Sequence, residues 1–204
     1  MNSFHFEDIP LESIINQASV PDPALNRQGC YTRRDFLQYP AHSRVQLING
    51  FLFIPPPVPA IHQRIITELL YQCTRYLKGD RLPFKAVSAP VRFFREEDER
   101  TVLLPDLAVV RYPDSILSPD ISVLPDFAAE VTTRDTHCLD HTVKPWIYKD
   151  WGVKEYWIIN PSMSSIEIYL FADDPSGAAK TYVFGNLIPV RAFPGLLIDT
   201  SEFL

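Results

Sequence analysis

Two acids stand where the surrounding residues give an acid no obvious structural task. Asp106 lies in Val102-Leu103-Leu104-Pro105-Asp106-Leu107-Ala108-Val109-Val110, and Glu130 lies 24 positions on, in Phe127-Ala128-Ala129-Glu130-Val131-Thr132. Both runs are apolar enough to be strands of a core. An ionised carboxylate buried alone costs several kcal/mol or takes up a proton, so two of them on neighbouring strands are most economically explained by a shared cation. A hard divalent ion held by strand-borne carboxylates is the arrangement that activates water against a phosphodiester. The competing reading makes Asp106 a solvent-facing residue at a post-proline kink, and Glu130 part of a polar strand face with Ala128 and Thr132.

Other residues of chemical interest carry less. His137 and His141 are four apart around Asp140, a spacing that can put two imidazoles on one helical face, but no third ligand lies at metal-site spacing and they read as solvated. Trp146, Tyr148, Trp151, Tyr156 and Trp157 concentrate aromatics that core packing explains better than base stacking. Ser162, Ser164 and Ser165 have no His and Asp partners at recognisable spacing, which argues against a serine hydrolase.

The elements that must position the two acids can be read from periodicity. Residues 1–30 read as a peripheral arm with one short helix around Leu11 to Gln17. Thr32 is set to cap a helix that starts at Tyr31-Thr32-Arg33-Arg34-Asp35, with Asp35 as its capping-box partner, and Pro40 stops it. Val45 to Ile54 around Asn49-Gly50 is a strong hairpin signal, because both central residues tolerate the positive φ of a type I′ turn. From Ala60 to about Lys78, Ile61, Ile65, Ile66, Leu69, Leu70, Cys73 and Leu77 recur every three or four positions, the stripe of a helix packed on a sheet.

Strands are expected over Phe84 to Phe94, Thr101 to Arg111, Phe127 to Thr132, Lys154 to Asn160, Ile166 to Phe171, Lys180 to Phe184 and near Leu196 to Ile198. Between them, Arg95 to Arg100 reads as a solvated charged loop, and residues from about Asp140 to Asp150 as a helix closed near Gly152. This order implies an α/β fold with a central mixed β-sheet flanked by helices, the hairpin extending one edge.

At 204 residues, 46% hydrophobic and 22% charged, the chain has the composition of an ordinary soluble globular protein with one core, and residues 31–204 are expected to form a single domain. A formal net charge of −6 argues against gripping nucleic acid by overall charge and leaves any such role to a local basic strip. Cys30, Cys73 and Cys138 are odd in number and widely spaced, which suits neither a disulfide framework nor a zinc site and points to a cytoplasmic location. No basic leader and no run of roughly 20 apolar residues is visible, so no membrane partner is expected.

Pro105-Asp106, Glu130-Val131 and Lys144 in the next helix resemble the PD-(D/E)XK nuclease superfamily. More narrowly, the Asn49-Gly50 hairpin, His62-Gln63, Lys144 with Tyr148, and Gly152-Val153-Lys154-Glu155-Tyr156-Trp157 are similar to the Uma family of restriction-endonuclease-like proteins, from about Tyr31 to the C-terminus. The resemblance implies a restriction-endonuclease-like core with an added N-terminal hairpin, and a nuclease acting on DNA phosphodiesters. It makes Asp106 and Glu130 ligands of Mg2+ or Mn2+, Lys144 the lysine that orients water or offsets phosphate charge, and Gln46 a member of the site's edge. His62 matches a histidine of the family frame and could reach phosphate or the ion's water shell, although a lone histidine at a helix start more often caps it or lies on the surface. Arg134 is a candidate for substrate contact, and a homodimer is expected, as is common for nuclease folds of this size.

The chain departs from the family pattern in the hairpin, with Gln46 where Glu is usual and Asn49 where Asp is usual. Thr132-Thr133-Arg134 follows Glu130-Val131 in place of a Ser-Pro sequence, and Pro145 follows Lys144. A catalytically silent module that keeps the fold and binds nucleic acid or a protein is therefore the alternative to an active enzyme.

Overall fold

A computed structural model describes residues 9–18, 27–79, 81–111, 118–173 and 179–203. Its helices are α1 (Leu11–Ala18), α2 (Arg33–Phe36), α3 (Ala60–Gly79) and α4 (Lys144–Asp150), with a π-helical turn over Leu139–Val143 leading into α4. The strands are β1 (Gln46–Ile48), β2 (Phe51–Phe53), β3 (Phe84–Ser88), β4 (Arg92–Phe93), β5 (Leu107–Arg111), β6 (Asp120–Ile121), β7 (Phe127–Val131), β8 (Glu155–Asn160), β9 (Ser165–Leu170), β10 (Ala179–Val183), β11 (Leu187–Pro189) and β12 (Leu197–Asp199).

Six strands form the central sheet in the order β10-β9-β8-β7-β5-β3. The β7 to β8 pairing is parallel, because the π turn and α4 cross over between them, and the other four pairings are antiparallel. Alternation sorts the side chains onto two covered faces. Ala108, Val110, Ala128, Tyr156 and Ile158 meet Leu139, Val143, Ile147, Tyr148 and Trp151 of the crossover, while Leu107, Val109, Phe127, Ala129, Val131 and Trp157 meet Ile65, Leu69, Cys73 and Leu77 of α3. Burial on both faces explains why these strands are nearly continuous apolar runs.

Several elements depart from the periodicity reading. Two long strands were expected over Phe84 to Phe94 and Thr101 to Arg111, and each is cut at a proline, because a ring without an N–H cannot donate to a ladder. The first divides at Pro90 into β3 and β4, and the second loses its ladder before Asp106, leaving only single bridges at Val102 and Leu103. The hairpin β1–β2 does not extend the six-stranded sheet. It is a separate two-stranded sheet, fastened through reciprocal Leu47 and Val102 backbone bonds of 2.9 and 2.7 Å. Its turn is as expected, with Asn49 at φ 47° and Gly50 at φ 85°.

Within the N-terminal segment, Ile9, Leu11, Ile14 and Ile15 are buried in the core beside the crossover. The Thr32 and Asp35 capping box is present. The helix expected from Asp140 to Asp150 has a wide first part, and Pro145 accounts for it. Its ring would clash with the carbonyl of His141 in a regular helix, so the backbone closes instead through Lys144 N–H to the Leu139 carbonyl, and Pro145 falls in the first turn of α4 where no donor is needed.

Candidate active site

The β5 to β7 register pairs Leu107 with Ala129 and Ala108 with Ala128. One step further along the same register sets Asp106 opposite Glu130, where directly opposed Cβ atoms stand about 5 Å apart. Each acid faces a backbone N–H at or next to the other. Val131 N–H donates to Asp106 Oδ2 at 2.9 Å, and Asp106 N–H points at Glu130 Oε2 at 3.4 Å. Pro105 keeps the chain extended while withholding a donor at the point where the ladder stops. Both residues are buried, at 4% and 3% exposure.

Cations and donors gather on this pair. Lys144 Nζ lies 2.8 Å from Glu130 Oε1 and 2.9 Å from Oδ1 of Asp140, its i, i+4 neighbour, and all three side chains are buried. Tyr148, one turn beyond Lys144, donates its hydroxyl to Glu130 Oε1 at 3.0 Å, and Tyr156 donates to the Asp140 carbonyl at 3.1 Å. On the other side, Arg44 Nη2 reaches Asp106 Oδ1 and His62 Nε2 reaches Asp106 Oδ2, each at 3.0 Å. His62 is buried at 3% exposure, contrary to the surface or capping role its position suggested, because α3 begins directly against Asp106. Gln46 is buried too and accepts the Leu104 N–H through Oε1 at 3.2 Å, which fastens the hairpin to the chain leading into Asp106.

The electrostatics follow from burial and neighbours. Burial pushes Glu130 up to about 8; the charges of Asp106 and Asp140 add to this, and Lys144 only partly offsets them. Burial acts the same way on Asp106, but the His62 hydrogen bond and charge, Lys144 and the Val131 N–H outweigh it and hold this carboxyl below the usual range. Lys144 loses some charge preference to burial, yet Asp140 and Glu130 more than restore it and raise its ammonium above the ordinary lysine value. In the metal-free site, therefore, the surroundings favour the charged form of Asp106 and the ammonium of Lys144, whereas burial and like charge push Glu130 toward its protonated form.

Asp106, Glu130, Lys144, Gln46, His62, Arg44 and Asp140 line one cavity of about 20 Å3, room for a single small ion or water. Among the described residues no group of three or more His, Cys, Asp or Glu forms a ready-made metal cage. The donors that line it are the carboxylates of Asp106, Glu130 and Asp140, the Gln46 amide and the His62 imidazole. The oxygens of that set fit Mg2+ or Mn2+, which bind through one or two carboxylates and complete their shell with water and phosphate oxygens. His62 Nδ1 is buried with no hydrogen-bond partner among the described residues.

Other candidate residues are spread around this centre. Arg134 is exposed on the loop after β7, between Thr133 and Thr136, which line the cavity. Asn49 stays in the hairpin turn, where its carbonyl accepts from Arg100, and does not join the acids. His137 and His141 are outside the site. His141 is part-buried and paired with Glu167 at 3.1 Å, so only His137 is solvated as expected. Tyr148, Trp151, Tyr156 and Trp157 are core residues, whereas Trp146 is 37% exposed. The Glu155 of the Glu-Tyr-Trp run is structural: buried on β8, it accepts from the indole N–H of Trp157 at 2.6 Å and from Ala192 N–H at 2.8 Å. Arg44 had no sequence signal, and Asp140 had only its spacing from Lys144.

A mixed sheet with a helical crossover, an acid directly before β5 and another on the adjacent β7, and a lysine against them place the chain in the restriction-endonuclease-like class. Within that class it belongs to the Uma2 family, described as "Putative restriction endonuclease", whose model matches residues 33–201. The fold is similar to the crystal structure of a "putative nuclease belonging to DUF820" from Anabaena variabilis, with a TM-score of 0.67, 19% sequence identity, and coverage of 84% of this chain and 96% of that one. No curated protein matches the sequence. No helix among the described residues is long and apolar enough to cross a membrane.

Proposed function

We propose that this chain is a metal-dependent nuclease that hydrolyses DNA phosphodiester bonds. The observation that supports it most is the convergence of Asp106, Glu130 and Lys144 on one small cavity, with Lys144 Nζ 2.8 Å from Glu130. Asp106 and Glu130 would hold Mg2+ or Mn2+, with Gln46 beside them. When bound, the ion supplies a polarised phosphoryl oxygen and a water of lowered pKa. Asp106, kept ionised by His62 and Lys144, offers permanent charge for holding it. Glu130 would hold the ion in its ionised form. Lys144, anchored by Asp140, presents an ammonium to the charge that develops on phosphate. His62 orients Asp106, and Arg134 at the mouth would meet the DNA backbone. A homodimer remains part of this reading, testable by light scattering.

Cleavage of plasmid and linear DNA should require added Mg2+ or Mn2+ and vanish in Asp106→Ala and Glu130→Ala. Lys144→Ala should lower kcat more than it weakens DNA binding, because its charge matters most in the transition state. The neutral Gln46, with its oxygen already occupied by Leu104 N–H, favours the second reading, a silent fold that binds nucleic acid or a partner. That reading predicts no metal-dependent cleavage at any protein concentration and DNA binding that survives loss of Asp106. Cleavage that persists in chelator or in both carboxylate variants would refute the proposed mechanism.

A further inference from the structure

Asp106 has two oxygens with unlike partners. Oδ2 is held by Val131 N–H and by the buried His62, neither of which can leave without disturbing β7 or α3. Oδ1 is held by Arg44, whose side chain is 35% exposed and free to turn toward solvent. A divalent cation arriving at Oδ1 would meet the guanidinium at contact distance, and two positive groups cannot share that oxygen without strong repulsion. Arg44 is the partner that can give way.

A place for it lies next to the site. A second cavity of about 190 Å3 is also lined by Arg44 and Asp106, and its other polar walls are His42, Gln63 and Ser88. Among the described residues that line it, Asp106 is the one acid, and that charge would be offset by the incoming ion. Side-chain donors surrounding a space far larger than an ion suit an anion, and a guanidinium that pairs a carboxylate pairs phosphate in the same forked geometry.

We propose that Arg44 exchanges partners: it neutralises Asp106 while the site lacks a cation, and once the cation is bound it turns to hold a DNA phosphate in the His42, Gln63 and Ser88 cavity. This rests on the nuclease reading and adds to it a phosphate subsite and a reason for cation and DNA to bind cooperatively. By linkage, each ligand then strengthens the other by the same factor.

The test uses a fluorescein-labelled DNA duplex with Ca2+ as a cation that supports binding without turnover, read by anisotropy, and Mn2+ titrated calorimetrically into DNA-free protein. Wild type should bind the duplex several-fold more tightly with Ca2+ than with EDTA. Arg44→Ala should lose that gain while binding Mn2+ as well as or better than wild type, since the competing guanidinium is gone. Gln63→Glu, a change at an exposed position of the first turn of α3, guards against misfolding of the first variant. It should cut Ca2+-dependent DNA affinity about tenfold without weakening Mn2+ binding. If wild type shows no Asp106-dependent Mn2+ binding, the nuclease reading falls and the exchange with it. If Mn2+ binds through Asp106 but both variants keep the wild-type response of DNA binding to Ca2+, the exchange alone is overturned.

Discussion

Metal binding should expel a proton from Glu130, and the amount can be worked from the site. With its carboxyl pushed up to about 8, Glu130 is about nine-tenths protonated at pH 7 and half protonated at pH 8. A cation that takes Glu130 as a ligand requires the ionised form, so Mn2+ binding should release about 0.9 proton at pH 7 and about 0.5 at pH 8, and the apparent affinity should rise about tenfold from pH 6 to pH 7 before it levels off above pH 8. Calorimetric titrations in buffers of different ionisation enthalpy count the protons directly. Glu130→Gln, which has none to lose, serves as the control. Asp106-dependent binding with release below about 0.2 proton at pH 7 would show that Glu130 is already ionised or never becomes a ligand, and would refute the reasoning.

The same charges make further predictions. Asp140→Asn removes one of the negative neighbours that raise Glu130, so the proton released at pH 7 should fall below the wild-type value in the same calorimetric assay. Because the folded-state value of Glu130 lies above its unfolded one, its contribution to stability is fully present below about pH 4.5 and is lost as pH rises toward 8; the metal-free wild type should therefore lose Tm relative to Glu130→Gln between pH 5 and 8 in calorimetric scans. Gln46→Glu adds a further carboxylate beside the cavity while keeping an oxygen for Leu104 N–H, and should tighten Mn2+ binding. Unchanged or weaker binding would remove Gln46 from the ligand shell.

Local signals in the chain were sufficient for local structure. The turn at Asn49-Gly50, the Thr32 and Asp35 cap and the apolar stripe of α3 each depend on residues a few positions apart, so φ preferences and periodicity specify them without reference to the rest of the molecule. The chemical identity of Asp106 and Glu130 was legible for a related reason: an acid inside an apolar strand is conspicuous whatever it faces. The prolines misled the strand reading where apolar content outweighed a missing donor, at Pro90 and before Asp106. Which groups surround the two acids was decided only by the tertiary structure. Arg44, His62 and Asp140 meet them through the β5 to β7 register, the docking of α3 and the π turn that Pro145 enforces, separations of up to 62 residues that no local pattern encodes. Protonation was decided there as well, since the same carboxyl group is driven up at Glu130 and held down at Asp106 by neighbours and burial that exist only once the chain has folded.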